Sequence, residues 1–592
     1  MNALSLSLIA FSFCTLCFAE PGVSTNLSGR SPAMASATPE DAFHKNFRTQ
    51  VYEAYQPLKS LASQLKTGTY NQYENPTGIY FQAGDTIIVN VATDIGEESP
   101  RLLIMDFGPD GKGKKDYPLK TGENKITAEV PGLGYISYYS DHYKTAPKLK
   151  ITIQGGKANG YFDPVKHSNR EWKKLLAEAV SPILDIKGRK IQLAFPVQAL
   201  KEQCPDNGLE LIGLYDRIVA LEHNFMGLGK YKRTPKNRMF ARVIWKGYMY
   251  ADGIGAAFNN NTMRKVANVD NIKANSWGIA HELGHVNQVR PGFKWVCTTE
   301  TTNNLYSLWI SYNFAKGKIN QEARKAKDWD GNKLIGGGIN CYLHAALIAG
   351  EQWLCQRGPD RQANYEFDGD HGSKLLPLWQ LHQYFNIAAM GNRDFYGDIL
   401  ERIRTSNDKG LSDGDHQLNF MKYACDVSKK NLTPFFKAVG MLKPIDKRLI
   451  DYRKAQLTIT QEQCDAIEAY AKRYPLPASP VIYYISSGTT DFYKKRLAVK
   501  GLFNQGITEQ GRTRTINHDI WKNAVAFETY AGEELTHIAV WGTNSEDKSS
   551  TLVQYPEGST RIEAVSWDGK RTLVTGTRPT QSKRAPAATA SL

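Results

Sequence analysis

The chain has 592 residues, 41% of them hydrophobic and 22% charged, so wholesale disorder and a collagen-like rod are both excluded. The only long apolar run lies in the first 19 residues, and no later stretch approaches the ~18 residues that span a bilayer, which excludes a polytopic membrane protein. A formal charge of +15 suits an acidic partner, whether nucleic acid, anionic lipid, or a sialylated or sulfated glycan, and composition does not choose among them.

The apolar opening segment ends in Ala19 before Glu20-Pro21 and predicts a signal peptide over 1–19 and export of the mature chain. Neither Cys14 nor Cys17 follows the small residue that a lipoprotein signal usually has. A flexible linker, rich in Ser, Pro and Ala, is expected over 20–40. Six cysteines remain, namely Cys204, Cys297, Cys341, Cys355, Cys425 and Cys464. Their even number permits disulfides without giving a pairing, and the absence of Cys-x-x-Cys among them disfavours a cysteine zinc site.

Over 41–66, Phe43, Phe47, Val51, Tyr55, Leu58 and Leu61 recur every three or four positions and predict a leading helix. Short β-type runs follow over 69–154 (Gly78-Ile-Tyr-Phe, Thr86-Ile-Ile-Val-Asn-Val, Arg101-Leu-Leu-Ile-Met, Lys148-Leu-Lys-Ile-Thr-Ile). Helix and runs together predict an N-terminal accessory domain, a small β-sandwich, over 41–165. Helical period returns over 168–186, Lys190-Ile-Gln-Leu-Ala-Phe reads as a strand, and 208–228 is a long amphipathic helix. Strands are expected at 241–250 and 254–258. From 276 to 474 the pattern is mainly helical, and a catalytic unit is expected over 166–478. After Pro475-Leu-Pro-Ala-Ser-Pro480 a C-terminal β module is expected over 479–575, followed by a disordered tail over 576–592. The fold class is therefore multidomain α+β, with a mainly helical domain flanked by two β-sandwich-like modules.

The chemistry lies in His281-Glu282-Leu283-Gly284-His285. Histidines four apart on a helix project from one face, so both imidazoles reach one metal ion, and the glutamate between them can deprotonate a water there. Asn275 or Ser276 can cap this helix. A hydrolytic Zn2+ needs a third protein ligand. The metzincin spacing would require Gly and His where Gln288 and Pro291 stand. Glu300, at the start of a second helix that Thr298 or Thr299 can cap, is the candidate.

These residues resemble a known group. Trp277-Gly-Ile-Ala-His-Glu-Leu-Gly-His-Val-Asn-Gln288, then Trp295, then Glu300-Thr-Thr-Asn-Asn304, is similar to the enhancin-like zinc metallopeptidases, whose pattern is His-Glu-x-Gly-His-x-x-Gln followed by Glu-x-Thr-Asn-Asn. Similarity extends to Pro76-Thr-Gly-Ile-Tyr-Phe-Gln-Ala-Gly-Asp85, to Leu378-Trp-Gln-Leu-His-Gln-Tyr-Phe and to Leu432-Thr-Pro-Phe-Phe-Lys-Ala-Val-Gly, about 70–445 in all. Trp277-Gly-Ile-Ala departs from the bulkier lead-in common in the family, which bears on subsites and not on the metal.

The resemblance implies a gluzincin-type domain that cleaves O-glycosylated host glycoproteins such as mucins, with the glycan as part of what is recognised, in a secreted, periplasmic or surface-held bacterial enzyme. Zn2+ would be held by His281, His285 and Glu300, with Glu282 as general base. Tyr384 or His382 could stabilise the oxyanion, and Trp277, Gln288, Trp295 and Asn304 are candidates for substrate contact. The segment from Tyr250 could form the edge strand along which a peptide pairs. The alternatives are a zinc protease acting on unglycosylated peptides and a glycan-binding adhesin. No nucleic-acid-binding signature is present, and a monomer is expected.

Overall fold

The computed structural model describes residues 41–317, 337–353, 361–362, 365–367, 371–542 and 548–578. The expected leader, the linker, Cys355 and most of the expected tail lie outside these residues. The following concerns the unit that begins at Ala42.

Two antiparallel sheets form the N-terminal part. One orders Thr49–Tyr52, Leu149–Gln154, Thr86–Val91 and Gly122–Thr127; the other orders Lys114–Pro118, Arg101–Met105, Gly132–Ser137, Pro76–Phe81 and Lys157–Ala158. Alternation drives this arrangement: Ile87, Val89 and Val91 point inward from one sheet, Leu102, Ile104 and Phe81 from the other, and all join one buried core. The expected helix over 41–66 is instead a short helix Ala42–Lys45, the strand Thr49–Tyr52 and a helix Leu58–Leu65. The β-rich Thr-Gln-Val-Tyr pairs with Leu149–Gln154, and Pro57, whose missing N–H disfavours a helix interior, stands at the N-cap of Leu58–Leu65.

A capping box, in which Ser168 and Glu171 exchange hydrogen bonds, starts the helix Asn169–Glu178. This helix stops before the expected 186, because Ile183–Lys187 pairs as a strand. The resulting sheet orders Ile183–Lys187, Ile191–Pro196, Met239–Ile244, Ala256–Asn259 and Met249–Ala251. Its parallel pair Ile191–Pro196 and Met239–Ile244 is bridged by the helix Gly208–Phe225, a βαβ crossover. Of the segment from Tyr250 expected to form an edge, Met249–Ala251 is a terminal strand of this sheet and Ala256–Asn259 is internal. The central part is thus mixed α/β rather than mainly helical.

The helices Trp277–Asn287, Thr299–Thr302 and Asn304–Phe314 come next, and later Phe395–Thr405, Asp413–Ser428 and Gln461–Ala471. Within the stretch expected to be helical, a hairpin pairs Ile445–Ile450 with Lys454–Ile459. It packs closely on a helix start, where a Cβ on Gly414 would lie 2.1 Å from the Thr458 carbonyl oxygen.

The C-terminal part holds a three-stranded sheet (Ile507–Gln510, Thr513–Asn517, Ser550–Gln554) and a four-stranded one (Glu534–Val540, Ala526–Ala531, Arg561–Val565, Arg571–Gly576). Trp521, Phe527, Ile562 and Val574 fill a small core of its own. It is also tied to the helical part: the Ile538 and Val540 N–H groups donate to His344 Nε2 and Asn340 Oδ1, both at 3.0 Å. No helix among the described residues is long and apolar enough to cross a membrane. Cys204, Cys425 and Cys464 are buried thiols.

Candidate active site

The helix Trp277–Asn287 begins where Asn275 Oδ1 accepts the Trp277 N–H (3.2 Å), and it presents His281 and His285 one turn apart. Their rings are 4.7 Å apart and nearly perpendicular. Glu300, on the turn Thr299–Thr302, reaches between them: its Oε2 is 3.1 Å from His281 Nε2 and its Oε1 is 3.4 Å from His285 Nε2. Ligand atoms of His281, Glu282 and His285 also lie within 4.8 Å of one another. The helix can approach the Glu300 segment this closely because position 284 is glycine, where a Cβ would stand 2.8 Å from the Asn303 carbonyl oxygen.

The segment carrying Glu300 is heavily tied down. Gln288 Nε2 donates to the Thr298 and Thr299 carbonyls (both 3.1 Å) and to Thr302 Oγ1 (2.6 Å). Lys374 Nζ donates to the Cys297 carbonyl (2.9 Å), and Asp451 Oδ2 accepts the Thr299 N–H (3.1 Å). His281 Nδ1 donates to Asn304 Oδ1 at 2.8 Å, which fixes the ring with Nε2 turned toward Glu300. Asn303 Nδ2 lies 3.1 Å from both His281 Nδ1 and His285 Nε2.

Several residues that the sequence suggested for substrate contact have other surroundings. Gln288 is fully buried as the clamp just described, and Asn304 orients His281. Trp295 is fully buried against Trp353 and Phe420. Tyr384 is buried, its hydroxyl accepting the Ser479 N–H, and His382 is buried among Trp309, Trp379 and Phe225. Neither stands at the histidines, because each lies on the apolar side of a core helix. Trp277 alone of this group is partly exposed, one turn before His281 on the same helix face. Sequence reasoning missed Tyr452, whose hydroxyl donates to Glu300 Oε1 at 2.7 Å.

Electrostatics separates the two glutamates. Burial opposes ionisation of Glu300, but the bonds from His281 and His285 outweigh it and hold this carboxyl far below the usual range. Glu282 is buried, its Oε2 has no hydrogen-bond partner, and burial, reinforced by the Glu300 charge, pushes it up to about 7. One carboxylate is thus a committed anion, and the other is poised to exchange a proton near neutrality.

The donor set fits a metal ion. Two imidazole nitrogens and a carboxylate are the ligand types a hydrolytic zinc takes, and here each imidazole Nε2 lies 3.1 or 3.4 Å from a different oxygen of the Glu300 carboxylate. This set, with a buried glutamate beside the two histidines, defines the class as metallopeptidase. The chain belongs to the M60 peptidases: residues 155–440 match the family described as Peptidase M60, enhancin and enhancin-like, and residues 47–154 match the N-terminal domain of M60-like peptidases.

Solved structures agree. A metallopeptidase from Bacteroides thetaiotaomicron is 25% identical with a TM-score of 0.72, covering 90% of each chain. A metallopeptidase in complex with Tn antigen is also 25% identical with a TM-score of 0.72, covering 90% of this chain and all of that one. Among curated proteins, TRPM8 channel-associated factor 3 of Rattus norvegicus is 24% identical over 392 residues, 64% of this chain; the chain spans 39% of that relative.

Proposed function

We propose that this chain is an exported zinc endopeptidase that cleaves O-glycosylated glycoproteins of the mucin type, with the attached sugar as part of the recognised unit. The observation that carries the chemistry is the convergence of Glu300 on His281 and His285, with Glu282 beside the two histidines and its buried Oε2 without a hydrogen bond. The glycan reading draws on the similar structure that holds Tn antigen, and the acidic glycans of mucins suit a charge of +15.

In this reading His281 Nε2, His285 Nε2 and a Glu300 oxygen hold one zinc ion per chain, which when bound acidifies water and polarises the peptide carbonyl. Glu282 takes the proton of the attacking water as the O–C bond forms, then delivers it to the leaving nitrogen as the C–N bond breaks. Asn304 keeps His281 in the ligating tautomer throughout. The terminal strand Met249–Ala251 runs beside the histidine helix, with Met249 Sδ 3.1 Å from where a Gly278 Cβ would be, and offers backbone for an extended peptide. Trp277, partly exposed one turn before His281, is the residue proposed to stack on a sugar. Export rests on the apolar leader over 1–19. The C-terminal β module over 479–575 braces the helical part through His344 and Asn340.

The test is digestion of a mucin-type peptide carrying one O-linked N-acetylgalactosamine and of its sugar-free twin, read by mass spectrometry. Cleavage of the glycosylated peptide alone, at one bond fixed relative to the sugar, is expected. Equal cleavage of both would leave a zinc protease with no glycan requirement.

A further inference from the structure

The hairpin turn Asp451-Tyr452-Arg453 is fastened on both sides to the segment that leads into Glu300. Asp451 Oδ2 accepts the Thr299 N–H (3.1 Å). Arg453 Nη2 donates to Asp413 Oδ1 (2.5 Å), and the same oxygen accepts the Val296 N–H (2.7 Å). Between these two ties Tyr452 has φ 57°, the left-handed region that residues with a Cβ rarely enter. Its side chain is 83% exposed, yet its hydroxyl donates to Glu300 Oε1 at 2.7 Å. A three-residue hairpin loop, closed here by the Ile450–Lys454 pair, ordinarily contains one left-handed residue, and the turn so formed carries the Tyr452 hydroxyl to Glu300.

We infer that Tyr452 is the hydrogen-bond donor to the oxyanion of the peptide being cleaved, an assignment that rests on the peptidase reading above. As the water oxygen bonds to the carbonyl carbon, the C=O electron pair moves onto oxygen. The Tyr452 hydroxyl turns from Glu300 to that oxygen and donates while keeping its own proton. Glu282 handles the water's proton. Division of labour follows: Glu282 moves protons, and Tyr452 answers the negative charge that appears only as the bond is attacked. The hairpin's two ties set the hydroxyl in advance, so little reorganisation is needed during the reaction.

The experiment compares the full chain with Tyr452→Phe, using the glycosylated peptide above and a phosphinic analogue of its cleaved bond. Tyr452→Phe is expected to lower kcat by about 10²–10³-fold with KM within about twofold. Affinity for the phosphinic analogue should fall by a similar factor. Zinc affinity, by competition with a chromogenic chelator, should be unchanged, as should the binding of intact peptide in a Glu282→Gln background. An unchanged kcat would overturn the inference. So would a loss of zinc affinity that accounts for the lost rate, which would make Tyr452 a positioning residue for Glu300. If the wild-type chain itself neither cleaves peptide nor binds the analogue, the peptidase reading fails and the inference with it.

Discussion

Replacing Glu282 by Gln is expected to lower kcat on the glycosylated peptide by about 10²–10⁴-fold. Melting temperature and zinc content should not change. The substitution keeps the shape of the side chain and removes its basicity, and the buried Oε2 makes no hydrogen bond that the fold would lose. The pH profile adds a sign. Burial raises Glu282 from 4.5 to about 7, and the working form is the carboxylate, so kcat/KM falls as pH drops through its pKa. Zinc beside the group favours the anion and pulls the value back down. The acid limb of the zinc-loaded wild type therefore lies below the metal-free value of about 7. A Gln variant with wild-type rate would contradict this role.

Removing the third ligand is the second large effect. Glu300→Ala is expected to abolish tight zinc binding, measured by equilibrium competition with a chelator, and to abolish cleavage with it. Two imidazoles would then remain where a hydrolytic site needs three protein ligands. Asn304→Ala grades the same effect: without its acceptor, His281 loses the bond that fixes its tautomer, and zinc affinity should fall about 10–100-fold. Stoichiometric zinc of wild-type affinity in Glu300→Ala would show that another group completes the site. Equal losses in the two variants would deny Asn304 its supporting rank.

The two histidines of the proposed zinc site were legible in the sequence because a single helix dictates them. Four-residue spacing puts His281 and His285 on one face whatever surrounds the helix, and Glu300 was legible as the acidic start of the next helical turn. What lay near that motif could be listed but not aimed. Gln288, Trp295 and Asn304 follow the histidines closely, yet one clamps a turn, one fills the core and one orients an imidazole. Proximity along the chain carries no information about the direction of a side chain. Tyr452 shows the opposite case: it is 152 residues from Glu300 and reaches it only through a hairpin. That hairpin, Ile-Asp-Lys-Arg-Leu-Ile and Lys-Ala-Gln-Leu-Thr-Ile, is charged enough to pass for a helix surface, and its alternation is decided by packing on Asp413–Ser428. The same competition misplaced the opening helix, where strand pairing with Leu149–Gln154 overrides a helical recurrence of Phe43, Phe47 and Val51.

The most direct measurement is zinc reconstitution of the wild-type chain. The protein is stripped with a chelator, zinc is titrated back, and cleavage of the glycosylated peptide is followed at each addition. The account predicts that activity vanishes on stripping and returns in proportion to zinc, reaching a plateau at one equivalent per chain. Undiminished cleavage by protein that retains no measurable zinc would contradict it.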